Sequence, residues 1–400
     1  MEIGHPVLVD KLVARIRRDG PLSFADFMEA ALYDPDFGYY MTPGPRIGRE
    51  GDYYTSLDVH PVFAELIGRQ VVQAAEFIAT LPDSPGDFTI VEMGAGKGLL
   101  AKHLLDSYRR NNPAFLSRVR YVLGERSPAL VAAQQEHLRP LLDEGVRITW
   151  APDLNAFSVA SVTGVILSNE LVDALPVHRV VMRPSGLREI FVGWDGHRFI
   201  EIEAPPFSSA LETYFERLGL ALKVGQRTEV NLQALDWIRQ VGAILRRGLV
   251  LTIDYGHTAS DLYAQSRKAG TLLCYHRHTV SDSPYLLVGQ QDMTAHVDFT
   301  SLALAGRDAG LEVTGFTNQL HFLMGLGIES AFEGVNPESP ESVAMRNLLK
   351  PDGMGTTYKV LVQHKGMPAP QLDGLRLRPF FTNALLASRT EGRTMEAAAR

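Results

Sequence analysis

The sequence predicts an α/β fold: a doubly wound, mostly parallel sheet with a helical N-terminal region and insertions. Three observations predict it. Short β-rich runs, "FTIVEM", "RYVLGE", "VRITW", "GVILSNE" and "GLVLTIDYG", recur from about residue 88, with helical stretches between several of them. That alternation is the mark of βαβ units and a parallel sheet. A glycine-rich turn follows the first run, and acidic residues close several of the others. Ligands bind along that carboxyl-terminal edge in open α/β sheets.

The bulk properties set limits. The chain has 400 residues, 45% of them hydrophobic, enough for one elaborated domain or two to three units. A formal charge of −7 and a pI of about 6.0 argue against a nucleic-acid binder, which usually shows a basic patch. The single cysteine, Cys274, excludes an internal disulfide and fits a reducing compartment; it reads as a buried, inert thiol. No apolar run reaches the roughly 18 residues of a membrane span. The opening "MEIGHPVLVDKLVARIRRDG" reads as an amphipathic helix rather than a signal or transit peptide. The expectation is therefore a cytoplasmic, bacterial protein that binds neither nucleic acid nor membrane, with a homodimer possible.

In chain order, residues 1–87 form a helical region. In it "GPLSFADFMEAALY" carries a cap at Ser23 with Asp26 three residues on. A long loop rich in glycine, proline and tyrosine follows, either an ordered lid or a packing loop. Residues 88–365 form the main domain. Its insertions fall at about 181–240, with a hairpin around Asp195-Gly196, and at about 276–330. "TTYKVLVQHK" reads as the last strand. Residues 366–400 are a tail, expected to be poorly ordered at its end.

The strongest local signal is "IVEMGAGKGLLAKHLL". Glu92 ends a strand, glycines follow at Gly94, Gly96 and Gly98, and a helix begins. A dinucleotide fingerprint places its third glycine one residue later, and a P-loop ends in Gly-Lys-Ser/Thr. An acidic strand end followed by alternating glycines is instead the pattern of S-adenosylmethionine-dependent methyltransferases. The second strand ends at Glu125, placed to accept ribose hydroxyls. The third leads to Asp153, placed to meet an adenine amino group. Lys97 reads as a solvated loop lysine.

The fourth strand runs into "SNELVDALP", which brings Asn169, Glu170 and Asp173 toward the donor methyl. If a turn or helix starts after Ser168, Glu170 and Asp173 share a face. Two carboxylates match the planar fork of an arginine guanidinium and favour positive charge on it. Asp173 also reads as a helix-start acid favoured by the dipole. The later segments add Asp254, Tyr255 and His257, then His276, His278, Asp292, His296 and Asp298. Tyr255, His278, Asp292 and His296 read as parts of a polar substrate groove, with Glu229 a further candidate. No metal site is expected, since neither a helical H-x-x-x-H nor a cysteine cluster is present.

Together "GYYMT", "IGREGDYYTS", "VEMGAGKGLL", "SNELVDALP", "LTIDYG", "GTLLCYHRH" and "QDMTAHVDF" resemble the MidA-type protein arginine methyltransferases, relatives of the mitochondrial complex I assembly methyltransferase. The resemblance spans about residues 20–365. It implies a class I, Rossmann-like methyltransferase fold, S-adenosyl-L-methionine as donor and an arginine ω-nitrogen of a partner protein as acceptor. It implies cofactor contacts at Gly94, Gly96, Glu125 and Asp153, and a guanidinium clamp at Glu170 and Asp173. Leu273 departs from the pattern, which suggests an arginine there. The competing readings are a methyltransferase for another acceptor and a non-catalytic assembly factor that keeps the fold.

Overall fold

The computed structural model describes residues 3–42, 44, 52, 56–84, 86–377, 382, 384 and 385. Most of the glycine- and tyrosine-rich loop, and the end of the tail, lie outside the described residues. The lid expectation falls there.

Seven strands build the central sheet: β1 (Phe88–Met93), β2 (Val119–Gly124), β3 (Ile148–Ala151), β4 (Val162–Asn169), β5 (Leu245–His257), β6 (Glu312–Asn318) and β7 (Tyr358–Lys365). Their order is β3-β2-β1-β4-β5-β7-β6. The first five pair in parallel, and β7 runs antiparallel between β5 and β6. A short strand, Val297–Asp298, extends the carboxyl end of β5.

Every residue of β4 is buried, because helices cover both faces. Alternate residues feed opposite cores. Val165, Leu167, Leu249 and Leu251 pack on one side, Ile166 and Val250 on the other. Two helices open the chain, α1 (Pro6–Asp19) and α2 (Phe24–Tyr33); Ser23 caps the second by accepting the Asp26 N–H at 3.0 Å, as its sequence predicts. Helices α3 (Val62–Ala79), α4 (Leu99–Asn111) and α5 (Pro128–Asp143) contribute to the first core. Helices α6 (Leu232–Ile244) and α7 (Phe299–Asp308) form the second.

The boundaries differ from the sequence expectation in three places. Helix α3 belongs to the core rather than to an N-terminal unit. Helices α1 and α2 pack instead against the two insertions. The first insertion is an antiparallel sheet of strands 178–183, 186–194, 199–204 and 227–230, joined by Leu22–Ser23. Its hairpin turns at Asp195-Gly196, with Trp194 opposite Phe199. The second insertion closes by Asp298, because α7 and β6 are core elements. "EVTGFTN" hides its strand nature: it lies at the sheet edge and its first three residues are not buried. The start of the tail docks, with Leu372 buried and the Gly374 N–H donating to Gln70 Oε1 at 3.0 Å.

Candidate active site

The glycine loop leaves β1 with a left-handed backbone at Gly94, Gly96 and Gly98 (φ 69°, 51° and 77°). Only glycine adopts this freely. A Cβ at Gly94 would also stand 2.8 Å from Leu171 Cδ1, so the loop and the segment after β4 approach too closely for a side chain. Beside this loop lies a cleft of about 210 Å³. Gly94, Gly96, Glu125, Asp153, Glu170 and Trp237 line it, and Tyr33 and Tyr40 reach in from the N-terminal layer.

Glu125 ends β2 with Oε1 accepting the Ser127 N–H at 2.8 Å. Burial raises its pKa, against those backbone donors. Asp153 is exposed and caps the next turn through the Asn155 N–H at 2.8 Å. Three predicted cofactor residues, Glu92, Gly98 and Asn169, do not line the cleft. Glu92 is 3% exposed and accepts the Tyr121 hydroxyl at 2.7 Å; burial pushes its pKa to about 8. Gly98 packs against Gln134 at the start of α4. Both shape the loop from below. Asn169 is likewise off the wall, its amide donating to Glu170 Oε1 at 3.2 Å.

After Asn169 the chain forms a turn, one of the two paths expected there, rather than an α-helix. Glu170 itself is left-handed (φ 54°), with its N–H donating to Ile253 O at 3.0 Å. A tight 3₁₀ turn, Val172–Ala174, follows. Asp254 at the end of β5 imposes this path. Its Oδ2 accepts the N–H groups of Leu171, Val172 and Asp173 at 3.2, 2.9 and 3.4 Å. Glu170 therefore stands on the cleft wall, where Tyr358 donates its hydroxyl to Oε2 at 2.8 Å. Asp173 lies deeper, 3% exposed, hydrogen-bonded to Tyr255, and its Oδ1 is buried with no partner. Burial pushes Asp173 up to about 6. Burial, then the charges of Asp173 and Glu170, push Asp254 well above the carboxylate range.

Aromatic rings fix this acidic corner. Tyr255 stands edge-on to Tyr358 and to His296, with centroids 5.4 and 5.5 Å apart. His296 lies 5.2 Å from His257. Burial, then the Arg267 charge, lower both histidines, to about 4 and about 3, so both are neutral at pH 7. Tyr40 donates to Asp292 Oδ1 at 2.7 Å, and burial pushes Asp292 to about 7. Four predicted residues thus converge here: Glu170, Asp173, Tyr255 and His296, with Asp292 alongside. His278 does not join them; it is exposed at the tip of the hairpin 273–281, left-handed (φ 59°). Glu229 grips the Thr271 N–H at 2.7 Å, and Thr271 Oγ1 in turn accepts the His296 N–H at 3.1 Å. Cys274 is fully buried and its thiol pushed to about 12. Among the described residues no cluster of three metal-ligand side chains occurs.

Sequence reasoning missed Tyr358, Tyr33 and Trp237, which lie in segments that read as plain strand or helix. Tyr40 was visible only inside "GYYMT".

A family model described as "Putative S-adenosyl-L-methionine-dependent methyltransferase" matches residues 66–317, from α3 into β6. The Drosophila melanogaster mitochondrial protein arginine methyltransferase NDUFAF7 homolog is 29% identical, over 93% of this chain and 88% of its own length. The Homo sapiens NDUFAF7 protein is 26% identical, over 85% and 77%. A Burkholderia thailandensis protein solved with bound S-adenosyl-homocysteine is 30% identical, with a TM-score of 0.83, over 93% of this chain and 95% of that one. The cleft fits that kind of ligand: a left-handed glycine backbone at Gly94 and Gly96 lines it, beside the Glu125 carboxylate just after β2. The family match covers well over half of the chain, and the chain belongs to this S-adenosyl-L-methionine-dependent methyltransferase family.

Proposed function

We propose that the protein methylates an ω-nitrogen of an arginine in a partner protein. The carrying observation is the buried acidic corner beside the donor cleft, where Asp173 Oδ1 has no partner. Gly94 and Gly96 would hold the donor's amino-acid end, Glu125 its ribose hydroxyls and Asp153 its adenine amino group. The bound donor supplies a methyl group on a sulfonium.

The chain's own residues then position the acceptor. Tyr358 and Asn169 fix both oxygens of Glu170, so its carboxylate is oriented before the acceptor arrives. Asp173 Oδ1 offers a second acceptor, and two carboxylates suit the five donors of a planar guanidinium. A neutral nucleophile would gain nothing from so many buried acids. A guanidinium nitrogen must lose a proton as its new bond forms. Asp173 Oδ1, on a carboxyl with a pKa near 6, can take it up. The names of the curated relatives support the same acceptor. By the resemblance to the MidA-type family, a respiratory complex I-type subunit is the first candidate partner.

The test is incubation with cell lysate and methyl-labelled donor, then residue-level mass spectrometry. Label on arginine is the expected result. Label confined to lysine or small molecules rejects the acceptor, and donor binding without any transfer favours an assembly factor.

A further inference from the structure

A second groove borders the aromatic rings that flank the acidic corner. This groove, of about 700 Å³, runs between the two insertions, lined among others by Arg179, Glu201, Arg227, Arg267, Asp282 and His296. It shares no lining residue with the donor cleft. His296 on its wall stands edge-on to Tyr255, Tyr255 stands edge-on to Tyr358, and Tyr358 holds Glu170. The donor cleft and the groove therefore touch the two ends of this row of side chains, Glu170 and His296. A methyl transfer needs donor and acceptor brought together in line.

The groove's charges are unevenly matched. Glu201 accepts from both Arg179 (2.6 Å) and Arg227. The Arg267 side chain donates to the Asp261 main-chain carbonyl, and among the described residues no carboxylate forms an ion pair with it. The Lys359 ammonium binds the carbonyls of Thr356 and Thr357; burial lowers it to about 8, with the Asp261 charge opposing the shift and the Arg267 charge adding to it. A half-buried guanidinium facing a groove without a counter-ion favours an anion there.

We propose that this groove receives the polypeptide flanking the target arginine, and that Arg267 selects an acidic side chain next to that arginine. The occupant is thus an arginine in an acidic sequence context, and this rests on the guanidinium reading of the corner. The preference arises from enzyme residues outside the donor site, so it is separable from cofactor binding.

Fluorescence anisotropy tests it, using the full chain saturated with S-adenosyl-homocysteine. Three labelled ten-residue peptides suffice: a central arginine between glutamates, a central arginine between glutamines, and a central lysine between glutamates. The glutamate-flanked arginine peptide should bind about tenfold tighter than its glutamine counterpart. Arg267→Gln should abolish that ratio and Arg267→Lys should keep much of it, both with unchanged affinity for S-adenosyl-homocysteine. Equal binding of the two arginine peptides overturns the proposal, as does no binding by either or a ratio that survives Arg267→Gln. If the lysine peptide binds as well as the arginine one while the acid preference holds, the groove stands and the guanidinium reading falls.

Discussion

Glu170→Gln isolates the charge of the cleft-facing carboxylate. The substitution keeps the shape, and the Asn169 and Tyr358 contacts can adapt. The carbonyl oxygen of the new side-chain amide could still accept from Asn169, and the Tyr358 hydroxyl can turn to accept a side-chain N–H. Stability should therefore change by less than about 1 kcal/mol. The left-handed backbone at this position is unaffected in kind. The guanidinium clamp loses its charge-assisted hydrogen bonds, each about 1.5–3 kcal/mol. A net loss of about 3 kcal/mol corresponds to roughly a hundredfold lower rate. The assay is the initial rate of label transfer into lysate protein, with calorimetric titration of S-adenosyl-homocysteine alongside. Donor affinity should stay within about threefold. Tyr358→Phe removes the hydroxyl that donates to Glu170 Oε2 and should lower the rate about tenfold. Transfer by Glu170→Gln within threefold of the unaltered protein would refute the clamp.

Three further outcomes follow from the same geometry. Asp173 must be ionised to hold a cation, and its pKa lies near 6, so kcat/KM should fall about tenfold per pH unit below 6; a profile flat down to pH 5 excludes that role. Glu92 has a folded pKa near 8 against 4.5, so its stabilising contribution is full below the unfolded value and lost as pH rises toward 8. Glu92→Gln should accordingly gain up to about 4 kcal/mol more in urea unfolding at pH 8 than at pH 5, and an equal gain at both would contradict it. Gly94→Ala places a Cβ 2.8 Å from Leu171 at φ 69° and should weaken S-adenosyl-homocysteine binding at least about tenfold, whereas Gly145→Ala (φ 82°, open space) should keep affinity and cost only about 1–2 kcal/mol of backbone strain.

The parts of this molecule that were legible are those fixed by local physics. Strands β4 and β5 are buried on both faces, so their apolar runs are continuous and visible. The glycine loop announces itself because positive φ at three alternating positions demands one residue type. Strand β6 was hidden because an edge strand keeps polar residues. The site was legible in identity but not in geometry. Glu170 and Asp173 stand out after β4, yet their arrangement is dictated by Asp254, 81 residues further from Asp173. Tyr358 reaches Glu170 across 188 residues, and Tyr40 reaches Asp292 across 252. No periodicity encodes such pairings.

That geometry runs against stability, and the conflict itself is informative. Asp173, Asp254 and Asp292 are each buried with raised pKa, Glu170 adds its charge to Asp254, and Asp173 adds its charge to Asp292. Glu170 also holds a left-handed backbone that a non-glycine residue adopts at a cost. Apolar residues of similar size would pack the same space without desolvating charge. A fold that keeps such a cluster needs something to offset it on binding. Among side chains, an arginine guanidinium meets the requirement best, since it stays charged when desolvated and presents planar donors to two carboxylates at once. A lysine would give its proton up more readily in such surroundings. On the proposed reading, the same surplus of acid that costs the fold stability selects for a cation that cannot be neutralised.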